Sequence, residues 1–193
     1  LYDKQIGFFR AKDDKGNWIE PFDPLKYGAN GGYPFTEGNG WQYFWYVPQD
    51  VKGLINLVGG DITFTNKLDT LLTLGDKTEE VNDNASGFIG QYAHGNEPSH
   101  HIAYLYNYAG QPWKTQQYTA EILKKMYNTT SSGYSGNDDC GELSAWYIFS
   151  AMGFYPVNPA SSTYVIGSPL LKQASIQLKD GKNSKVVAKN VSI

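Results

Sequence analysis

Four acidic positions in this 193-residue chain carry neighbours that could turn a carboxyl group into a reagent: Glu37, Glu97, the pair Asp138-Asp139, and Glu142. A hydrolysis run by acid and base needs one carboxylic acid to protonate a leaving oxygen and a second carboxylate to activate water. Glu37 lies in TEGNGWQY, flanked by Gly38, Gly40 and Trp41. Glycines let a ligand approach the backbone, and an indole can exclude water or stack on a sugar face. An aromatic wall also disfavours the ionised form of a glutamate, which leaves it able to donate a proton. The same residue on an open loop would be solvated and inert. Asp138 and Asp139 stand before a helical run in the order Asp139-Cys140-Gly141-Glu142. That spacing predicts a capping box, with Asp139 accepting near Glu142 and Glu142 reaching back to the Asp139 N–H. A carboxylate held ionised at a helix start is also what a general base requires, so capping and catalysis are compatible.

A third group is His94-Gly95-Asn96-Glu97-Pro98-Ser99-His100-His101. It lacks the HExxH spacing of a helical zinc site and runs into a proline, and the chain has no further histidine to complete one. Asn96 and Glu97 offer hard oxygens, which suit calcium. The three histidines read equally well as packed, hydrogen-bonded side chains. Trp113, in GQPWKT, is either a platform for a sugar ring or ordinary packing at a helix start.

Stepping out from these groups, Val51 to Val58 carries apolar residues at helical spacing and stops at Gly59-Gly60. Asp61 opens a second helix with Phe64, Leu68, Leu71 and Leu72 on one face and Gly75 as its stop. Pro98 opens a third helix through about Tyr108, ended by Gly110; Pro112 opens a fourth through Met126. A fifth runs from Cys140 to Met152, with Leu143, Trp146, Tyr147 and Ser150 on one face. Residues 1–40 are loop-rich, broken by Pro21, Pro24, Gly31, Gly32 and Pro34. Beyond Pro156 the texture changes to short β-branched runs at 163–166, 175–178 and 185–188, the last two joined by Asp180-Gly181 as a hairpin.

Composition narrows the partners. A net charge of −3 with no basic run argues against nucleic acid and anionic membrane. No apolar run is long enough to span a bilayer. Fifteen tyrosines and five tryptophans, with 21 glycines, suit a surface that meets both the hydroxyls and the C–H faces of sugars. Cys140 is the only cysteine, so no internal disulfide forms, and its acidic setting favours the inert thiol. Triplets at Asn84, Asn128 and Asn190 fit the N-glycosylation pattern, which arises often by chance.

The blocks HGNEPSHHIAYLYNYAGQPWKTQ and GNDDCGELSAWYIFSAMGFY, with EGNGWQY, resemble glycoside hydrolase family 92, the calcium-dependent exo-acting α-mannosidases. The resemblance implies a mainly α fold. Residues 1–156 would form the later part of an (α/α)6 barrel, and 157–193 the trailing β-strands. An N-terminal β-sandwich, absent from this chain, would pack against it. It also implies inverting hydrolysis of terminal α-linked mannose on mannose-containing oligosaccharides, with Glu37 as acid and Asp139 as base. Asn96 would be a calcium (Ca2+) ligand, and Trp41, His94, Glu97, Trp113, Asn137 and Asp138 would touch the sugar. Many members carry an acid where this chain has Asn137, which can orient water but cannot share its proton. Members are commonly secreted or periplasmic. The contrasting expectation is a carbohydrate-binding or scaffold fragment without turnover.

Overall fold

The computed structural model describes residues 1–28, 34–75 and 86–189. The glycine breakers at 31 and 32 and the triplets at Asn84 and Asn190 lie outside these residues. The described chain is helix-rich with short strands. The α-helices are α1 (Gly40–Tyr43), α2 (Val51–Leu57), α3 (Asp61–Thr73), α4 (Pro112–Lys125) and α5 (Glu142–Met152). Among the described residues, eight strands pair as four separate antiparallel ladders: β1 (Tyr2–Asp3) with β2 (Phe8–Phe9), β3 (Phe88–Ile89) with β4 (Tyr92–Ala93), β5 (Phe154–Tyr155) with β6 (Val165–Ile166), and β7 (Gln173–Gln177) with β8 (Asn183–Val187).

The helical periodicities translate into buried faces. Phe64, Leu68, Leu71 and Leu72 of α3 are buried, as are Ile122 and Leu123 of α4 and Leu143 and Trp146 of α5. Tyr147, expected on the inner face of α5, is instead partly exposed. Asp50 caps α2 through the Gly53 amide, 2.8 Å away. Left-handed glycines end the helical runs at Gly110 and Gly153, where φ is +73° and +93°.

The segment from Pro98 differs from the expected α-helix. It forms two 3-10 stretches, Glu97–Ser99 and Ile102–Ala109, separated at His100-His101. Ile102 through Tyr106 are all fully buried. A stretch enclosed on every side lacks the polar face that gives an α-helix its periodic signature, so sequence spacing could not reveal its pitch. This segment is the hub of the molecule, touching α2, α3, α4 and β6. Tyr104 Oη meets Ser150 Oγ at 2.7 Å, and Tyr106 Oη donates to Asp69 at 2.8 Å. The terminal hairpin forms as expected, with Gly181 left-handed at its turn, but pairs only within itself.

The expected capping box at Asp139 and Glu142 is not formed. Residues 139 to 141 all have positive φ, and the Glu142 amide donates instead to the Asp138 carbonyl at 2.7 Å. Asp138 supplies the cap: its two carboxylate oxygens accept from the Ser144 amide and hydroxyl, each at 2.8 Å. A box of the expected chemistry occurs elsewhere, between Asn39 and Gln42 at the start of α1.

Candidate active site

The Glu37 loop and the Asn96-Glu97 turn are tied together by amides. Asn39 and Gln42, buried within EGNGWQY, do more than cap α1. Asn39 Nδ2 donates to Gln91 Oε1 at 2.9 Å, and Gln42 Nε2 donates to the Gln91 carbonyl at 3.1 Å. Gln91 leads into β4 and so into His94 and Asn96. Asn96 closes the circuit by donating from Nδ2 to the Glu37 carbonyl at 2.9 Å. The motif's polar residues are thus largely structural, and their product is a fixed Glu37.

The acidic turn is brought to the same place by two glycines. A Cβ built on Gly136 would sit 2.5 Å from the Gly95 carbonyl, so the two backbones approach more closely than any side chain permits. Ser86 Oγ also donates to the Ser135 carbonyl, pinning the strand side of the contact. Asp139 consequently meets Glu97, and burial followed by contact with Asp139 pushes the Glu97 carboxyl above its usual range. Glu97 Oε1 is buried with no hydrogen-bond partner.

Among the described residues, Glu37, Asp139 and Cys140 are the non-glycine residues with left-handed backbone, at φ of +54°, +32° and +60°. Such conformations are disfavoured for residues with a Cβ and persist where the surroundings enforce them. Beside Glu37 stand Tyr27 and Tyr43. Burial, with the Glu37 carboxylate adding to it, pushes the Tyr27 phenol up to about 12, and its buried Oη has no partner. Tyr43 Oη donates to the Thr36 carbonyl at 2.5 Å.

Glu97, Asp139 and Glu142 line one cleft of about 490 Å³, together with Tyr46, His101, Phe149 and Tyr155. The sequence-predicted residues divide around it. Glu37 and Asn96 are not among the residues that line it, although Asn96 holds the Glu37 carbonyl, and Asn137 is exposed next to the acidic turn. Asp138 spends both oxygens on Ser144. His94 is fully buried, its Nδ1 2.8 Å from Tyr92 Oη and its Nε2 2.7 Å from Tyr127 Oη, and burial lowers its pKa strongly. It packs beneath the turn and does not line the cleft. Trp41 also lies away from it, edge-on to Phe8 at 5.0 Å and beside the Lys67 ammonium, whose pKa burial lowers to about 8. Trp113 is 58% exposed on the first turn of α4 and is not among the cleft residues.

Two cleft residues carry more than their sequence context suggested. Glu142 was legible as an acid but masked by the expected capping box, and Tyr155 carried no signal beyond being aromatic. Among the described residues, no three His, Cys, Asp or Glu side chains gather as a metal site. The histidines are committed elsewhere: His100 Nε2 lies 3.0 Å from the His94 carbonyl, and His101 Nε2 lies 2.7 Å from the Trp45 carbonyl. What remains is oxygen chemistry. The orphaned Glu97 Oε1 and the Asn96 amide oxygen, whose nitrogen partner is already donating, fit a hard divalent cation such as calcium.

The sequence profile of the glycosyl hydrolase family 92 catalytic domain matches residues 1–193. A family GH92 α-mannosidase from Bacteroides thetaiotaomicron superposes with a TM-score of 0.90 at 46% identity, covering 100% of this chain and 25% of that one. Its complex with mannoimidazole superposes equally well, at 44% identity over 100% of this chain and 26% of that one. A GH92 inverting mannosidase from the same bacterium gives 0.79 at 43% identity, covering 95% and 26%. An uncharacterized secreted glycosidase from Arthroderma benhamiae is 31% identical over 182 residues, 89% of this chain and 21% of its own length. The chain therefore spans about a quarter of the length of these relatives.

Proposed function

The chain belongs to glycosyl hydrolase family 92, and from that premise we propose that it forms the catalytic part of an exo-acting α-mannosidase that removes terminal α-linked mannose with inversion. Glu37 protonates the leaving oxygen, and Asp139 takes the proton from a water that attacks the opposite face of the ring. Inversion requires the two carboxyl groups to stand about 6.5–9.5 Å apart, leaving room for that water. Asn137 orients the water without sharing its proton. Glu97 holds a hydrogen-bonding or metal-binding position under the sugar. The calcium chemistry assigned to Asn96 and Glu97 is a charge-assisted grip on sugar hydroxyls.

The observation that supports this reading is that Glu37 and Asp139, both held in disfavoured backbone, each contact the Asn96-Glu97 turn, Glu37 through its carbonyl and Asp139 through Glu97. The inverting mannosidase and the mannoimidazole complex among the relatives support the stereochemistry and the sugar. Glu37→Gln and Asp139→Asn are expected to lower kcat by about 10²–10⁴-fold on an oligomannoside. The two should separate on an activated aryl α-mannoside, whose leaving group needs no proton. Glu37→Gln recovers most of its activity there and Asp139→Asn does not. Full activity in either variant on the oligomannoside refutes the assignment.

Residues 1–156 are read as part of an (α/α)6 barrel and 157–193 as strands trailing from it. An apolar groove of about 1230 Å³ between α5 and the β7–β8 hairpin supports the packing of a further domain, the family's β-sandwich, on this side. The relative described as secreted supports export of the whole protein. A second reading, a sugar-binding fragment without turnover, is favoured by the quarter-length span. Mannose release from a chromogenic α-mannoside, with and without chelator, by this chain and by a polypeptide of the relatives' length distinguishes the two. Cleavage by the longer form alone favours the fragment reading.

A further inference from the structure

Glu142 sits on the first turn of α5, and the cleft follows the stripe Glu142, Ala145, Trp146 and Phe149 along that helix. At 1.5 Å per residue the stripe runs about 10 Å, roughly two turns, from the carboxylates. The Glu142 side chain keeps 45% of its surface exposed, unlike the buried His100 beside it.

The orientation of Glu142 is fixed from behind. His100 Nδ1 lies 3.5 Å from Glu142 Oε1, and Tyr155 Oη donates to the same oxygen at 3.4 Å. His100 Nε2 faces a carbonyl, the His94 oxygen at 3.0 Å, and must carry a hydrogen to bond it. His100 is itself held by its packing and by Trp146 Nε1, which donates to the His100 carbonyl at 3.0 Å. Both contacts fall on Oε1, which leaves Oε2 to accept from whatever enters the cleft. An ionised carboxylate can only accept, and sugar hydroxyls are donors of the right kind.

Its position also says which sugar it meets. Inversion puts the water and its base on the face of the ring opposite the leaving group. The Glu142 amide lies 3.3 Å from the carbonyl of Asp139, so the two share one turn and one side of the bond being cut. The aromatic edges of Tyr46 and Phe149 line the same cleft and suit the C–H face of a pyranose.

We propose that Glu142 is a substrate-binding residue that accepts a hydroxyl of the terminal sugar, pre-oriented for that contact by His100 and Tyr155. The proposal rests on the mannosidase reading and on Asp139 as its base. The experiment uses an enzyme of the relatives' length containing this chain, assayed on methyl α-mannoside and its 2-, 3-, 4- and 6-deoxy analogues. Glu142→Ala is expected to raise KM about 10- to 100-fold, the range for a lost hydrogen bond to a charged group, with kcat changed less than about threefold. One deoxy analogue should already carry that penalty in the unmodified enzyme and lose nothing further in Glu142→Ala. Tyr155→Phe, which removes only the donor behind Glu142, should raise KM by a smaller factor. Glu142→Gln keeps the shape and provides the comparison should the alanine variant fail to fold. The proposal is overturned if every analogue loses the same factor in both enzymes, or if kcat falls while KM stays. Inactivity of the unmodified enzyme on all α-mannosides, or full activity of Asp139→Asn, would instead strike the mannosidase reading on which it rests.

Discussion

At the scale of single residues, the buried histidines define what the site can tolerate. His101 is buried against Trp45, and burial drives its pKa from the ordinary 6.5 down to about 4, with His100 adding to the effect. The neutral ring is the folded form. The unfolded chain takes up a proton between these two values and the folded chain does not, so stability from this group is complete above pH 6.5 and declines as pH falls towards 4. The full shift corresponds to about 3 kcal/mol. Urea unfolding from pH 7.5 to 4 should therefore show a slope in stability that His101→Gln makes shallower. An identical slope in the variant would mean that the ring is not buried neutral. Glu37 and Asp139 illustrate a different residue-scale fact. Left-handed backbone at a residue with a Cβ costs about 1–3 kcal/mol, and here it falls on both acids assigned to the chemistry.

At the scale of elements, the start of α5 is the decisive piece. Three successive left-handed residues replace the expected cap, and they turn Asp139 outwards while Asp138 reaches forward to Ser144. Asp138→Ala should destabilise the fold by about 0.5–2 kcal/mol, the usual cost of a lost helix cap. It should also reduce kcat, because the turn that presents Asp139 loses its anchor. Thermal unfolding and steady-state rates measured on the same preparation check both effects. A variant with reduced stability and unchanged kcat would show the turn to be held by other contacts. The 3-10 hub at Ile102–Ala109 plays the corresponding part for the core, since it fixes α3, α4 and α5 through Tyr106, its packing and Tyr104.

At the scale of the whole molecule, metal binding and stability should be linked. Glu97 Oε1 is buried without a partner, and a cation that satisfies it stabilises the folded state alone. Saturation at about 100 times Kd adds about 2.7 kcal/mol. Calcium should raise Tm of the unmodified protein, and chelator should reverse the rise. Glu97→Gln should abolish the response, with magnesium a weaker substitute because of its stricter geometry. A calcium response retained in Glu97→Gln would place the ion elsewhere. No helix among the described residues is long and apolar enough to cross a membrane.

Much of this was legible in the primary order. Helices α2 to α5, most of their apolar faces and the glycine stops after α2, α3 and α5 follow from 3.6-residue spacing and backbone sterics, which are local. The acids worth considering were legible too, because their neighbours are unusual for loops. Tertiary structure alone decided which polar groups face the cleft. It buried His94 between two tyrosines, sent Trp41 to Phe8 and Lys67, and moved the cap from Asp139 to Asp138. It also joined Gly95 to Gly136, 41 positions apart, and so brought Asp139 to Glu97. Local propensity depends on a residue and its near neighbours, whereas a side chain's direction and partner depend on backbones that meet only after the chain has packed.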